Sequence, residues 1–374
     1  MANSVKEKKK HSGARTVGIL LGIIVAIVII AVAVIAILTK PVDDTSDKAI
    51  YVGGLRSSQS IEYKSDSSKG LEKDPILKIM QIVWKGVDKD DKENHAKQTA
   101  PTGIVKVKDI PYLDDSNPYH MLDVFYPEGE HPTEGLPVII DIHGGGWMYA
   151  TKDLNEYYCM ELASKGYTVF SISYRLVPDV TVNEQLQDCS SALKWINENM
   201  KDYPANPASV MLTGDSAGGM LSAYEAVLNQ SKELREIFAT EETNLNIKAL
   251  LLTSPVAYMK NGGMYSIYTK PLWGKDYKSK ATYNYMDLNE IIEYADDMPP
   301  TFFVTSSGDT LAHDQTVTAY NLFQERGIES EIIDYGEYDG EKLKHVFSVL
   351  DPFSVPSQEV INKALDFYQK ALLK

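Results

Sequence analysis

Cysteine is scarce: the 374-residue chain has two, Cys159 and Cys189. That excludes a disulfide-stapled scaffold and a four-cysteine zinc site. Glycine and proline are modest, at 24 and 17, and aromatics make up 10%, so the chain is neither collagenous nor wholly disordered. Positive charge is short as well. The net charge of −15 argues against nucleic acid as a partner, which would need a basic face. What is plentiful is apolar residue, at 44%, enough for one large domain with additions.

The first forty residues differ from the rest. Residues 1–16 read as a basic cytosolic tail, with Lys6, Lys8, Lys9, Lys10 and Arg15 against Glu7. Residues 17–38, Val17 to Leu38, form an uninterrupted uncharged run. As a helix it would be roughly 33 Å long, about the ~30 Å of a bilayer core. The expectation is a single transmembrane helix that anchors the chain in a lipid bilayer. The apolar region of a cleaved signal peptide, the rival reading, usually runs only ~7–15 residues. The basic flank predicts a single-pass cell-membrane protein with a cytosolic N-terminus and an extracytoplasmic catalytic body.

Residues 39–100 read as a tether, polar and aperiodic over 39–73. One amphipathic helix is expected at about 75–86, opened by Asp74-Pro75; it is more apolar than a tether needs and is expected to pack on the domain behind it, with the charged stretch Asp88–Lys97 between. Residues 101–374 form the main domain. Strands are expected at Ile104–Ile110, Met121–Tyr126, Leu136–Ile142, Thr168–Tyr174, Ser209–Thr213, Ile247–Leu252, Thr301–Thr305 and Glu329–Tyr335, with helices between most of them. Buried apolar strands alternating with helices give an α/β class with a mostly parallel sheet and helices on both faces. Residues 256–298 interrupt that alternation and read as a small cap over the ligand-binding ends of the strands.

Gly214-Asp-Ser216-Ala-Gly218 follows one strand and opens a helix. A serine hydroxyl is a poor nucleophile, and a tight strand-to-helix turn holds it exposed beside a base. His143-Gly-Gly-Gly146-Trp147 follows another strand. Without Cβ atoms in the way, the amides of Gly145 and Gly146 can converge on a developing oxyanion, with Ala217 N as a third donor. His143 reads as ordering that loop. In this architecture the acid and base follow the serine in the order Ser, Asp, His, which selects Asp309 and His345. Asp314, the rival acid, stands near a helix start, where capping is the expected role. Trp147, Tyr258 and Trp273, with the other cap tyrosines, either line a pocket for a sugar or aryl group or simply pack the cap.

On these motifs, together with Tyr174-Arg-Leu-Val-Pro178, the chain resembles the hormone-sensitive-lipase-like family of α/β-hydrolases, the bacterial carboxylesterase and acetyl-esterase branch included. The resemblance covers roughly residues 101–374. It implies an α/β-hydrolase fold, a Ser216–His345–Asp309 triad, and hydrolysis of carboxylic esters with neither cofactor nor metal. The family usually has Asp-Pro-Leu where this chain has Asp309-Thr-Leu311; the acid itself is kept. The expected function is therefore that of a serine carboxylesterase acting on small, short-chain esters, acetylated or aryl sugar esters among the candidates. The alternatives are a peptidase or amidase on the same triad, and a non-catalytic surface binding protein. Oligomeric state cannot be read from the sequence.

Overall fold

The computed structural model describes residues 25, 27–41, 51–55, 64–260 and 263–374. Eight strands form one sheet: β1 (Ile104–Pro111), β2 (Met121–Pro127), β3 (Leu136–Ile142), β4 (Thr168–Ile172), β5 (Ala205–Asp215), β6 (Ile247–Thr253), β7 (Thr301–Ser306) and β8 (Ser330–Tyr335), in the order β1-β2-β4-β3-β5-β6-β7-β8. β2 pairs antiparallel with both β1 and β4, and every pairing from β4 through β8 is parallel. All eight expected strands form.

Successive side chains of a strand face opposite ways, and here they divide one core into two. Val138, Ile140 and Ile142 join one apolar cluster with Val210, Leu212, Leu250, Leu252 and Phe303. Ile139, Met211, Ala249, Leu251, Phe302 and Val304 join the other. The first face carries helices Val182–Asn199, Ala217–Gln230 and His313–Glu325; the second carries Glu156–Ser164 and the terminal helix Val355–Leu372. Cys189 belongs to the first cluster and Cys159 to the second, so both are free, buried thiols with the sheet between them.

The N-terminal region departs from the expected tether. Helix α1 runs from Pro75 to His95, nine residues beyond the expected end. Asp74 caps it, accepting from Ile76 N at 2.9 Å, and the supposed linker of charges is its last turns. Lys92 bonds Asp88 one turn back at 2.8 Å, and such i,i+4 pairs carry a helix through a polar stretch. Residues 51–55 are docked too. Val52 bridges Tyr149, Gly53 N donates to Met148 O at 2.8 Å, and Val52 and Leu55 are fully buried. Two well-placed apolar side chains thus hold a segment whose overall composition is polar.

Of the expected span, residues 25 and 27–38 are helical with exposed apolar side chains; residues 17–24 and 26 lie outside the described residues, as does the basic tail 1–16. Among the described residues no helix is long and apolar enough to cross a membrane. The cap, 256–298, consists of short helical turns such as Thr269–Trp273 and Leu288–Ile291. It is fastened by Asp287 Oδ1, which accepts from Met259 N at 2.6 Å and Lys260 N at 2.7 Å, and by Tyr224 OH, which donates to Tyr285 O at 2.8 Å.

Candidate active site

β5 ends at Asp215 and helix α4 (Ala217–Gln230) begins at Ala217, leaving Ser216 as the whole turn. Its φ of 52° and ψ of −115° place it in a backbone region that non-glycine residues avoid. The strain is held by hydrogen bonds on both sides: Ser216 N donates to Thr253 O at 2.9 Å, and Ser216 O accepts from Val256 N at 3.1 Å. Gly218 lets the helix approach the sheet, since a Cβ there would collide with the carbonyls of Ile142 and His143.

Those carbonyls belong to the start of the glycine loop. Gly145 and Gly146 have φ of 97° and 55°. Among the described residues nothing accepts a hydrogen bond from Gly145 N, Gly146 N or Ala217 N. The loop is braced from behind. The His143 ring stacks on Tyr174 at 4.3 Å, its Nδ1 lies 2.8 Å from Gly144 O, and Tyr174 OH donates to His143 O at 2.7 Å. Burial lowers the His143 pKa to about 4, so the ring is neutral.

At the ends of β7 and β8, Asp309 and His345 come together. His345 Nδ1 lies 2.9 Å from Asp309 Oδ1, the same oxygen that accepts from Leu311 N at 3.0 Å and Ala312 N at 2.9 Å. Burial alone would raise the Asp309 pKa, but the His345 bond and the backbone amides outweigh it and hold the carboxyl below its ordinary value. Among the described residues, the hydrogen bond of the His345 ring is to Asp309, and none joins it to Ser216 Oγ. Asp314 makes no helix cap. The helix starts at His313 after Ala312, and the fully exposed Asp314 carboxylate pairs with the His313 ring at 3.1 Å.

Of the two roles open to the aromatic residues, Trp147 and Trp273 show packing. Trp147, 2% exposed, and Trp273, 1% exposed and part of the cap, both belong to the core cluster, where their large apolar rings are removed from water. Tyr258 is half-buried and bridges Asp287 through its backbone. Three other residues shape the site through contacts that no spacing signals. Asp215 Oδ1 accepts from Gly144 N at 3.0 Å and from Asn155 Nδ2 at 2.9 Å, and Asn155 Nδ2 also reaches Asp141 Oδ2 at 3.1 Å. Trp84, from α1, stacks on Tyr149 at 5.3 Å and lies where a Cβ on Gly146 would fall.

Residues 122–321, just over half of the chain, match the BD-FAE family. The chain belongs to the BD-FAE family, among the hormone-sensitive-lipase-like α/β-hydrolases. Within that setting it is similar to the solved Esterase B of Lactobacillus rhamnosis (HN001), at 29% identity and TM-score 0.74, over 79% of this chain and 95% of that one. The same esterase is also solved with a C4–C4 SN3 tributyrin phosphonate inhibitor. Two Mycobacterium tuberculosis proteins are similar over shorter stretches: Esterase LipQ, 29% identical over 38% of this chain, and Carboxylesterase NlhH, 34% identical over 25%. The chain spans about a third of these two curated relatives, 34% and 30% of their lengths.

Proposed function

We propose that this BD-FAE family member is a membrane-anchored serine carboxylesterase that hydrolyses small, short-chain carboxylic esters through an acyl-enzyme. The observation that carries the reading is the Asp309–His345 pair at the sheet edge that also holds Ser216 on its strained turn. In this mechanism His345 takes the Ser216 proton as Ser216 Oγ bonds to the acyl carbon. The carbonyl oxygen becomes an oxyanion, held by Gly145 N, Gly146 N and Ala217 N, the last at a helix N-terminus that favours negative charge. His345 then protonates the departing alkoxide, and the C–O bond to the alcohol breaks. Water enters by the same route, giving its proton to His345 as its oxygen bonds to the acyl carbon. The Ser216 ester bond then breaks, His345 returns the proton to Ser216 Oγ, and the acid is released. Asp309 keeps the proton of the neutral imidazole on Nδ1 and stabilises its charged form. His143, neutral and stacked behind the loop, orders it rather than reacting.

The exposed apolar helical residues 25 and 27–38 support anchoring through 17–38, with the catalytic domain outside the cell membrane. A short acyl preference is supported by the tributyrin phosphonate held by the Lactobacillus esterase, whose acyl groups carry four carbons. The decisive experiment is Ser216→Ala. Turnover of 4-nitrophenyl acetate should fall by at least ~10³, with labelling by a fluorophosphonate lost as well, because triad members act as a unit. Near-normal hydrolysis by a folded Ser216→Ala protein would refute the mechanism. Cleavage of a peptide panel by the wild-type protein, with no ester turnover, would favour a peptidase.

A further inference from the structure

Beside the glycine loop, between the second half of α1 and residues 149–158, lies a cavity of about 270 Å³. Its walls include Tyr51, Asp88, Asp91, Lys92, Tyr149 and Tyr157. The protein already keeps one ammonium group there. Lys92 Nζ lies 2.8 Å from Asp88 Oδ2 and 5.9 Å from the centroid of the Tyr51 ring, an ion pair reinforced by an aromatic face. Asp91 repeats half of this arrangement. Its Oδ2 accepts from Tyr149 OH at 3.1 Å, yet among the described residues it has no ion pair. His95, stacked on Tyr157 at 3.7 Å, adds no opposing charge, because burial lowers its pKa. Burial also raises the Asp91 pKa to about 6, so its carboxylate is ionised at neutral pH at a cost that a neighbouring cation would relieve.

We propose that this cavity binds a small organic cation, an alkylammonium or quaternary ammonium group, with Asp91 as counter-ion and the Tyr149 and Tyr157 rings as walls. The volume suits a small molecule rather than a polymer. The site is wired to the glycine loop: Tyr149 N donates to Gly145 O at 3.0 Å, and Tyr149 stacks on Trp84, which covers Gly146. A bound cation therefore presses on the ring that braces the loop, and occupancy and turnover are coupled.

The test uses the full chain in maltoside micelles, titrated with tetramethylammonium chloride at constant ionic strength. Binding is followed by tryptophan fluorescence and calorimetry, readouts that do not depend on esterase activity. Neopentyl alcohol, of the same shape without the charge, is the control. Saturable binding of the cation and none of the alcohol is expected. Asp91→Asn should weaken cation binding at least ~10-fold while basal 4-nitrophenyl acetate turnover stays within about twofold. Tyr157→Leu, which removes a ring and no charge, should weaken it as well and serves where Asp91→Asn fails to fold. Phosphatidylcholine vesicles separate the two sources of such a group: competition by them extends the site to lipid headgroups, and no competition assigns it to soluble cations. No saturable binding of tetramethylammonium, equal binding of neopentyl alcohol, or unchanged affinity in both variants overturns the proposal.

Discussion

Asp309 and Asp314 stand five residues apart, and their surroundings give them opposite fates. One is buried against His345 and two backbone amides; the other is fully exposed beside His313. Asp309→Asn should lower kcat for 4-nitrophenyl acetate by ~10³ or more by stabilising the wrong imidazole tautomer, whereas Asp314→Asn should stay within about twofold. The reverse pattern would mean the acid lies elsewhere. Because the Asp309 carboxyl is held below its ordinary value, its contribution to stability is present above the unfolded-state pKa and is lost as pH falls through the folded-state one. Glu225 has the opposite sign. It is fully buried in α4, accepts from Ser190 Oγ at 2.8 Å, and burial raises its pKa to about 8. Its contribution is therefore present below about pH 4 and fades as pH rises through about 8. Glu225→Gln keeps the acceptor and removes the titration. Its Tm should exceed that of the wild type at pH 8, by a margin that shrinks toward pH 5. A margin independent of pH would rule out Glu225 as the titrating group. At this scale the sequence marks Ser216, Asp309 and His345, because chain order and turn chemistry are local. It does not mark Asn155, Asp215 or Trp84, whose partners are assembled only by folding.

Among the elements, the inner strands β3, β4, β6 and β7 were legible because both faces of a parallel sheet are buried, so each reads as a nearly continuous apolar run. The edge strands β1 and β8, with exposed positions, instead mix apolar and polar residues. Leu212 on β5, fully buried between helices, tests that packing: Leu212→Ala should cost about 2–5 kcal/mol in urea unfolding. The packing of α1 on the domain was legible in its apolar excess, and the structure bears it out; its full length and the docking of residues 51–55 were not. That docking rests on long-range contacts such as Val52 with Tyr149, set in a sequence that is polar on average. The roles of Trp147 and Trp273 stayed open for a related reason: an aromatic residue near a site suits a pocket wall and a core equally well. Trp84 makes the element-scale prediction. Trp84→Ala removes the ring that covers Gly146, so kcat should fall about tenfold or more with KM changed far less, since small shifts of positioned groups are costly. A pure rise in KM would show that α1 contacts substrate instead of supporting the loop.

For the whole molecule, the proposed short-acyl preference turns on the cap. The cap is built of short helical turns fastened by polar bonds, with Trp273 buried within it. Acetyl to butyryl esters should therefore give higher kcat/KM than octanoyl esters, measured over a 4-nitrophenyl ester series. A maximum at ten carbons or more, with activation at a lipid interface, would contradict this. Topology is tested by external protease on intact cells, which should remove the catalytic body and spare a tag placed before Lys6. Release of a soluble body lacking the apolar run would favour cleavage. The docking of Tyr51 beside Tyr149 also sets how far such an enzyme can forage. Under the proposed anchoring, twelve residues, 39–50, separate the end of the apolar run at Leu38 from the docked residue 51. Fully stretched, those twelve residues reach about 40 Å. Lys85 Nζ, bonded to Leu38 O at 2.9 Å, draws even that leash in. Anchored as proposed, an enzyme moored this closely would graze esters at the membrane face, out of reach of the outer envelope.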